Sequence, residues 1–114
     1  MSNILLFVTS ALFVSVGLMS AQAPSPPPTK FKNIKVLTDL TDAQINREMQ
    51  AWTKALGEKC PYCHEGTDYA SDVNSKKDVA RKMAQMVLDM NKNYLDGKAT
   101  CVLCHRGAAV PEIP

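Results

Sequence analysis

The pentapeptide pattern Cys-x-x-Cys-His occurs twice, as Cys60-Pro61-Tyr62-Cys63-His64 and Cys101-Val102-Leu103-Cys104-His105. The two copies use every cysteine and every histidine of the chain. No other feature restricts the possible folds so tightly. C-x-x-C-H is the attachment sequence of c-type haem. The two thiols add across the two vinyl groups of the porphyrin, and the two-residue gap lets one turn of backbone present both sulfurs to one ring edge. The adjacent imidazole then sits beneath the iron and supplies its proximal nitrogen. The sequence thus implies two covalently held haems. Cys60, Cys63, Cys101 and Cys104 would be the attachment points, and His64 and His105 the fifth iron ligands.

Two other uses of paired cysteines fit less well. A redox disulfide of the thioredoxin kind expects a strand–helix–strand setting, which the chain lacks. A zinc ribbon expects its two pairs about 15 to 20 residues apart, whereas 37 residues separate Cys63 from Cys101. Neither explains why His directly follows both pairs.

With 114 residues the chain has room for one domain. Residues 1–23 contain no charged side chain. Ile4 to Met19 is apolar apart from Thr9, Ser10, Ser15 and Gly17, and Ala21-Gln22-Ala23 follows. This pattern reads as a secretory signal peptide or, through residues 4–21, as a retained N-terminal membrane anchor. Either places the remainder outside the cytoplasm, in the periplasm. Residues 24–30 are proline-rich and read as a semi-rigid tether, which leaves residues 31–114 as the cofactor-binding domain. Aromatic residues are only 6% of the chain, too few for a self-sufficient core in so small a domain. Something other than side chains is expected to fill the interior. The net charge of +2 is too small to argue for nucleic acid as a partner.

Two helices are expected. Thr41-Asp42-Ala43-Gln44 has the spacing of a capping box. Ile45, Met49, Trp52 and Leu56 then recur at the helical period, and Gly57 is placed as a left-handed stop. A second helix is expected from about Ser75-Lys76-Lys77-Asp78 through Val79, Met83, Met86, Val87, Met90 and Tyr94 to Asp96-Gly97. Each leads by a short loop into one Cys-x-x-Cys-His copy. The fold class is therefore mostly α, a small domain of two helix–turn–CxxCH repeats packed around their haems. Ahead of them, Phe31, Ile34 and Val36 alternate loosely, suggesting a short extended segment over Phe31–Leu37.

The sixth ligand follows partly by elimination. With no third histidine, neither iron has two from this chain, and methionine is the remaining strong ligand. Met1 and Met19 lie in the leader, which leaves Met49, Met83, Met86 and Met90. Met49 alone is on the helix leading into the first motif. Met83, Met86 and Met90 share one face of the second helix, and spacing does not choose among them; methionine is also a common core filler.

From Val36 to Pro111 the chain resembles the cytochrome c subunit of photosynthetic reaction centres, specifically a two-haem half of it. The matching residues are Leu37-Thr38-Asp39-Leu40-Thr41, Met49, the first CxxCH, Ala70-Ser71-Asp72, Ala80-Arg81-Lys82-Met83, Asn91, Tyr94, Cys101 to Gly107, and Pro111. The resemblance implies that each haem lies along its helix, with a helix methionine opposite the motif histidine. The family's Arg-basic-Met element, with Asn eight and an aromatic eleven residues later, falls on Met83 and promotes it over Met86 and Met90. The family's subunit typically carries four haems, where this chain has two motifs, and many members are lipoproteins anchored through an N-terminal cysteine, which this leader lacks.

The expected function is one-electron transfer between redox-protein partners through two His–Met-ligated haems, as a free carrier, within a membrane complex such as a reaction centre, or in a haem-to-haem homo-oligomer. No small-molecule substrate is expected. The alternative is a di-haem peroxidase or reductase, which needs an open iron site and a distal acid–base group. Trp52 and Tyr94 are expected to pack against porphyrin or helix, and Tyr62 and Tyr69 to sit at a haem pocket or the surface. The cationic run Lys76, Lys77, Arg81, Lys82 reads as a solvated helix face.

Overall fold

The computed structural model describes residues 24–112. The leader, and with it the question of signal or anchor, lies outside the described residues. Helix α1 (Asp42–Leu56) begins where its sequence supplies a cap. Gln44 N donates to Thr41 Oγ1 at 3.4 Å and Thr41 N to Gln44 Oε1 at 2.8 Å, so two otherwise orphaned N–H groups are satisfied. Asp42 in the first turn and Lys54 in the last complement the helix dipole. Gly57 ends it at φ 67°, its N–H bonded to Thr53 O. Thr29 Oγ1 and Lys30 N donate to the Asp42 carboxylate, tying the end of the proline-rich stretch to the start of α1.

Helix α2 spans Lys76–Met90 and widens into a π turn over Asn91–Leu95, stopping at left-handed Asp96 and Gly97. Asn74 works at both ends of the loop before it. Its Oδ1 accepts from Lys76 N at 3.0 Å, and its Nδ2 donates to Tyr62 O at 3.1 Å, which ties the start of α2 to the first motif. Asn91 does the same at the other end. It donates to Ala99 O at 2.9 Å and accepts from Ala99 N at 2.7 Å, pinning the loop that leads to the second motif. A short helix α3, Val102–His105, carries that motif. Among the described residues no helix is long and apolar enough to cross a membrane.

Residues Phe31–Leu37 do not form the extended segment their alternation suggests. Asn33 (φ 63°) and Leu37 (φ 61°) are left-handed, and no strand forms among the described residues. No second strand is available to pair with, so side chains satisfy the segment instead. Asn33 Nδ2 donates to Ala70 O at 2.6 Å, and Arg81 donates to Asn33 O at 3.4 Å.

The two repeats meet backbone to backbone. Gly107 N, just beyond α3, donates to Ala55 O at 2.8 Å. A Cβ on Gly57 would lie 2.2 Å from Gly107 O, so only glycine permits this approach. The second motif therefore sits on the C-terminal end of the helix that leads into the first. Among the described residues, Ile45, Ala55, Ala84 and Ala99 are the buried apolar side chains. Three of the four are alanines, so side chains alone supply little interior, in line with the composition.

Candidate haem-binding sites

The two Cys-x-x-Cys-His segments fold into the same turn. In the first, Tyr62 N donates to Lys59 O (2.9 Å), and Cys63 N and His64 N both donate to Cys60 O (3.2 and 3.0 Å). In the second, Leu103 N donates to Thr100 O (3.0 Å), and Cys104 N and His105 N both donate to Cys101 O (3.3 and 3.0 Å). One turn thus carries both sulfurs and the imidazole of each motif. All four thiols are free, and among the described residues no three His, Cys, Asp or Glu side chains converge as they would on a shared metal ion. Burial pushes the Cys63 and Cys101 thiols above their ordinary pKa.

Each imidazole is fixed by a backbone carbonyl. His64 Nδ1 lies 3.1 Å from Tyr69 O, and His105 Nδ1 lies 2.9 Å from Ala108 O. A carbonyl oxygen only accepts, so Nδ1 carries the proton and Nε2 keeps its lone pair. This is the arrangement of a metal-ligating histidine, whose other nitrogen is held by a hydrogen bond. Burial lowers the pKa of His64, the bond to Tyr69 opposes that shift, and the charge of Lys77 adds to it. The net direction favours the neutral ring that ligation requires. Tyr69 packs against the His64 ring, with centroids 4.7 Å apart.

A cavity of about 390 Å³ brings Met49, Trp52, Cys60, Cys63 and His64 together, with Tyr62 and Tyr69 on its wall. A second, of about 770 Å³, lies between α1 and the C-terminal half of α2 and reaches Cys101 and Val102. Trp52 and residues 35–37 line both. Cys104, His105, Met83, Met86 and Met90 are outside both linings. Met83 and Met86 are 44% and 45% exposed, and Met90 is half-buried. The structure therefore gathers the four residues expected at the first site into one cavity, and does not gather Met83 with Cys101 and His105. Tyr94, 81% exposed, packs against little.

The cationic run is not uniformly a solvated face. Lys76 and Lys82 are exposed, with Lys76 Nζ 4.6 Å from the centre of the Tyr62 ring. Lys77 and Arg81 turn inward, their side chains only 11% and 14% exposed. Lys77 Nζ donates to Tyr69 O (3.0 Å) and Ser71 O (2.6 Å) and lies 3.5 Å from Asp72 Oδ1. Arg81 pairs with Asp72 at 2.8 Å and Asp78 at 3.0 Å, and Lys35 reaches Asp72 at 2.6 Å. The Asp72 carboxylate and the carbonyls of Tyr69 and Ser71 draw the two cations in, and both line the first cavity. A signal for this was present: Lys77, Ala80, Arg81 and Ala84 share one helix face, and its small residues mark it as the packed one.

The family model of the photosynthetic reaction centre cytochrome C subunit matches residues 9–113. Similar chains include the photosynthetic reaction center cytochrome c subunit of Roseobacter denitrificans, 40% identical over 94 residues, covering 71% of this chain and 25% of that one. The subunit of the same name from Thermochromatium tepidum is 33% identical, covering 84% of this chain and 26% of that one. Cytochrome c-554 of Chloroflexus aurantiacus is also 33% identical, covering 81% and 24%. The chain belongs to the reaction-centre cytochrome c subunit family. It spans about a quarter of the length of the curated relatives it matches.

Membership of a cytochrome c family implies covalently bound haem c. The residues of this reaction-centre cytochrome relative fit such a group. Each turn offers two free thiols and an imidazole with its Nε2 lone pair unused, and the first cavity adds a thioether. Sequence reasoning missed Asn74 and the inward turn of Lys77. It had Asn91 only through family likeness.

Proposed function

We propose that this chain is a one-electron carrier with two c-type haems, one on each Cys-x-x-Cys-His turn. The observation that carries the reading is the duplicated turn itself. Two segments 41 residues apart have the same backbone hydrogen bonds, and in each the histidine Nδ1 is held by a carbonyl. Bound haem would supply a reversible ferric–ferrous couple. Cys60 and Cys63 would attach the first and His64 ligate it, with Met49 across the same cavity as sixth ligand. Cys101, Cys104 and His105 would hold the second. Met83 is its proposed sixth ligand, with Met86 and Met90 as the alternatives; the family likeness supports this choice.

Trp52 lines both cavities, and the Gly57–Gly107 contact joins the two motifs, so the chain itself keeps the two sites adjacent. The relatives' names support a redox partner of the reaction-centre kind, and the leader pattern supports a location on the periplasmic side. A haem count on the purified holoprotein tests the stoichiometry, with two per chain expected. Oxidised optical spectra of wild type, Met49→Ala and Met83→Ala test the ligation. A weak long-wavelength band should be halved in each variant. A high-spin wild-type haem that takes up added ligand would refute the closed-site carrier.

A further inference from the structure

Both histidines donate Nδ1–H to a backbone carbonyl, and the two acceptor carbonyls differ. The Tyr69 carbonyl that receives the His64 Nδ1 proton also receives a hydrogen bond from Lys77 Nζ, at 3.1 and 3.0 Å respectively. The Ala108 carbonyl that receives the His105 Nδ1 proton has no side-chain donor among the described residues. Lys77 is well fixed. Its Nζ donates to Tyr69 O and Ser71 O and lies 3.5 Å from Asp72 Oδ1, and its side chain is 11% exposed.

We infer that Lys77 raises the reduction potential of the first haem relative to the second, by sharing the Tyr69 carbonyl with His64. This rests on the reading of His64 and His105 as proximal ligands. An ammonium on a carbonyl withdraws electron density from its oxygen, so that oxygen is a weaker acceptor for a second donor. The His64 Nδ1–H bond is weakened, and the imidazole becomes a poorer electron donor through Nε2. A poorer donor stabilises the ferric state less, and outer-shell hydrogen bonds tune a metal in this way. The Lys77 charge acts in the same direction, because positive charge in a partly dry site disfavours an added positive charge on iron. Asp72 lies against Lys77, but Arg81 and Lys35 also pair with it, so Lys77 is not neutralised one for one. Lys77 therefore biases the electron towards the first site, and this part of the asymmetry comes from one lysine on α2. Lys77 is a positioning and tuning residue that acts through His64.

The test is a mediated potentiometric titration of the holoprotein, in wild type, Lys77→Gln, Lys77→Arg and Lys76→Gln. Nitrogen-resolved spectra of the reduced protein assign the His64 and His105 Nδ1 protons. Lys77→Gln should shift one of the two waves downward by about a tenfold change in electron partition, or ~59 mV for one electron. It should also move the His64 Nδ1 proton to the position of a stronger hydrogen bond, with His105 unmoved. Lys77→Arg should restore most of both effects; Lys76→Gln, which removes a nearby charge without touching the Tyr69 carbonyl, should move the wave less than Lys77→Gln and leave the His64 Nδ1 proton unmoved. Two waves that ignore Lys77→Gln, that move together, or that respond equally to Lys76→Gln would overturn the inference. A titration with a single haem, or with no assignable ligated histidine proton, would instead overturn the proposed function beneath it.

Discussion

Replacing Gly57 with alanine tests the joint between the two repeats. Two separate costs arise. At φ 67° an L-residue is left-handed, which costs about 1 kcal/mol or slightly more. The new Cβ would also lie 2.2 Å from Gly107 O, a backbone atom that cannot rotate aside. Relief requires the Arg106–Gly107 turn to back away from α1. That strains or breaks the 2.8 Å bond from Gly107 N to Ala55 O, at roughly 1 kcal/mol for the bond and 1–3 kcal/mol for overpacking. The sum is about 3–5 kcal/mol, a large share of a small domain's stability. It corresponds to a fall in Tm on the order of 12–30 °C. Gly66→Ala separates the two costs. Gly66 also has positive φ, 58°, but nothing lies within 4 Å of the point where its methyl group would stand. That variant should lose only the conformational cost, about 1 kcal/mol. The assay is thermal unfolding of both holoproteins followed by circular dichroism. If Gly57→Ala costs no more than Gly66→Ala, the two repeats are not seated on one another as described.

Asn91→Ala removes both bonds to Ala99 and leaves that buried N–H and C=O unpaired. A loss of about 2–4 kcal/mol in denaturant unfolding is expected, with the loop before Cys101 becoming the faster-exchanging segment. Thr41→Ala removes one side of the capping box on the helix that carries Met49, and should cost about 1 kcal/mol in the same assay. The Arg81 guanidinium, then Lys35 and Asn33, hold the Asp72 carboxyl well below the usual carboxylate range. The folded state then binds that proton less readily than the unfolded chain, whose carboxyl titrates near ~3.9. The stabilisation is present above that pH and is lost as pH falls through the carboxylate range towards the lower folded pKa. Asp72→Asn should therefore melt below wild type at pH 7, and the gap should close on acidification.

The parts of the fold that were legible in the sequence are those whose causes are local. Helix α1 has its cap, its period and its stop within Thr41–Gly57, and all three appear in the structure. The motif turns were equally legible, because a two-residue gap between thiols is itself a statement about one turn of backbone. The parts that were not legible depend on partners distant in the chain. Residues 31–37 look like an extended segment until loop 69–72 and Arg81 satisfy them through side chains. Lys77 and Arg81 look like surface charges until carbonyls and Asp72 receive them. Gly57 and Gly107 each have a sufficient local explanation, as helix stop and post-motif turn, which conceals that they touch across 50 residues.

The second site shows why ligand choice is harder to read than attachment. Attachment is written in consecutive residues, whereas a sixth ligand need only be near in space. Val79, Met83 and Met86 on α2 and Tyr94 on its π turn are all more than two-fifths exposed, while Ala84 is buried on the packed face. A helix in a small domain seldom leaves so much apolar surface on one side while spending its packed side on alanine and inward-turned cations. On the proposed reading that distribution has one cause. The interior of each repeat is to be filled by a flat, rigid cofactor joined through thioethers, so side chains line its place rather than occupy it. The same cause accounts for there being only four buried apolar side chains among the described residues. A protein stabilised in this way should gain much of its tertiary order when the haems are attached, and α1, whose cap and stop are both local, should be the element least dependent on them.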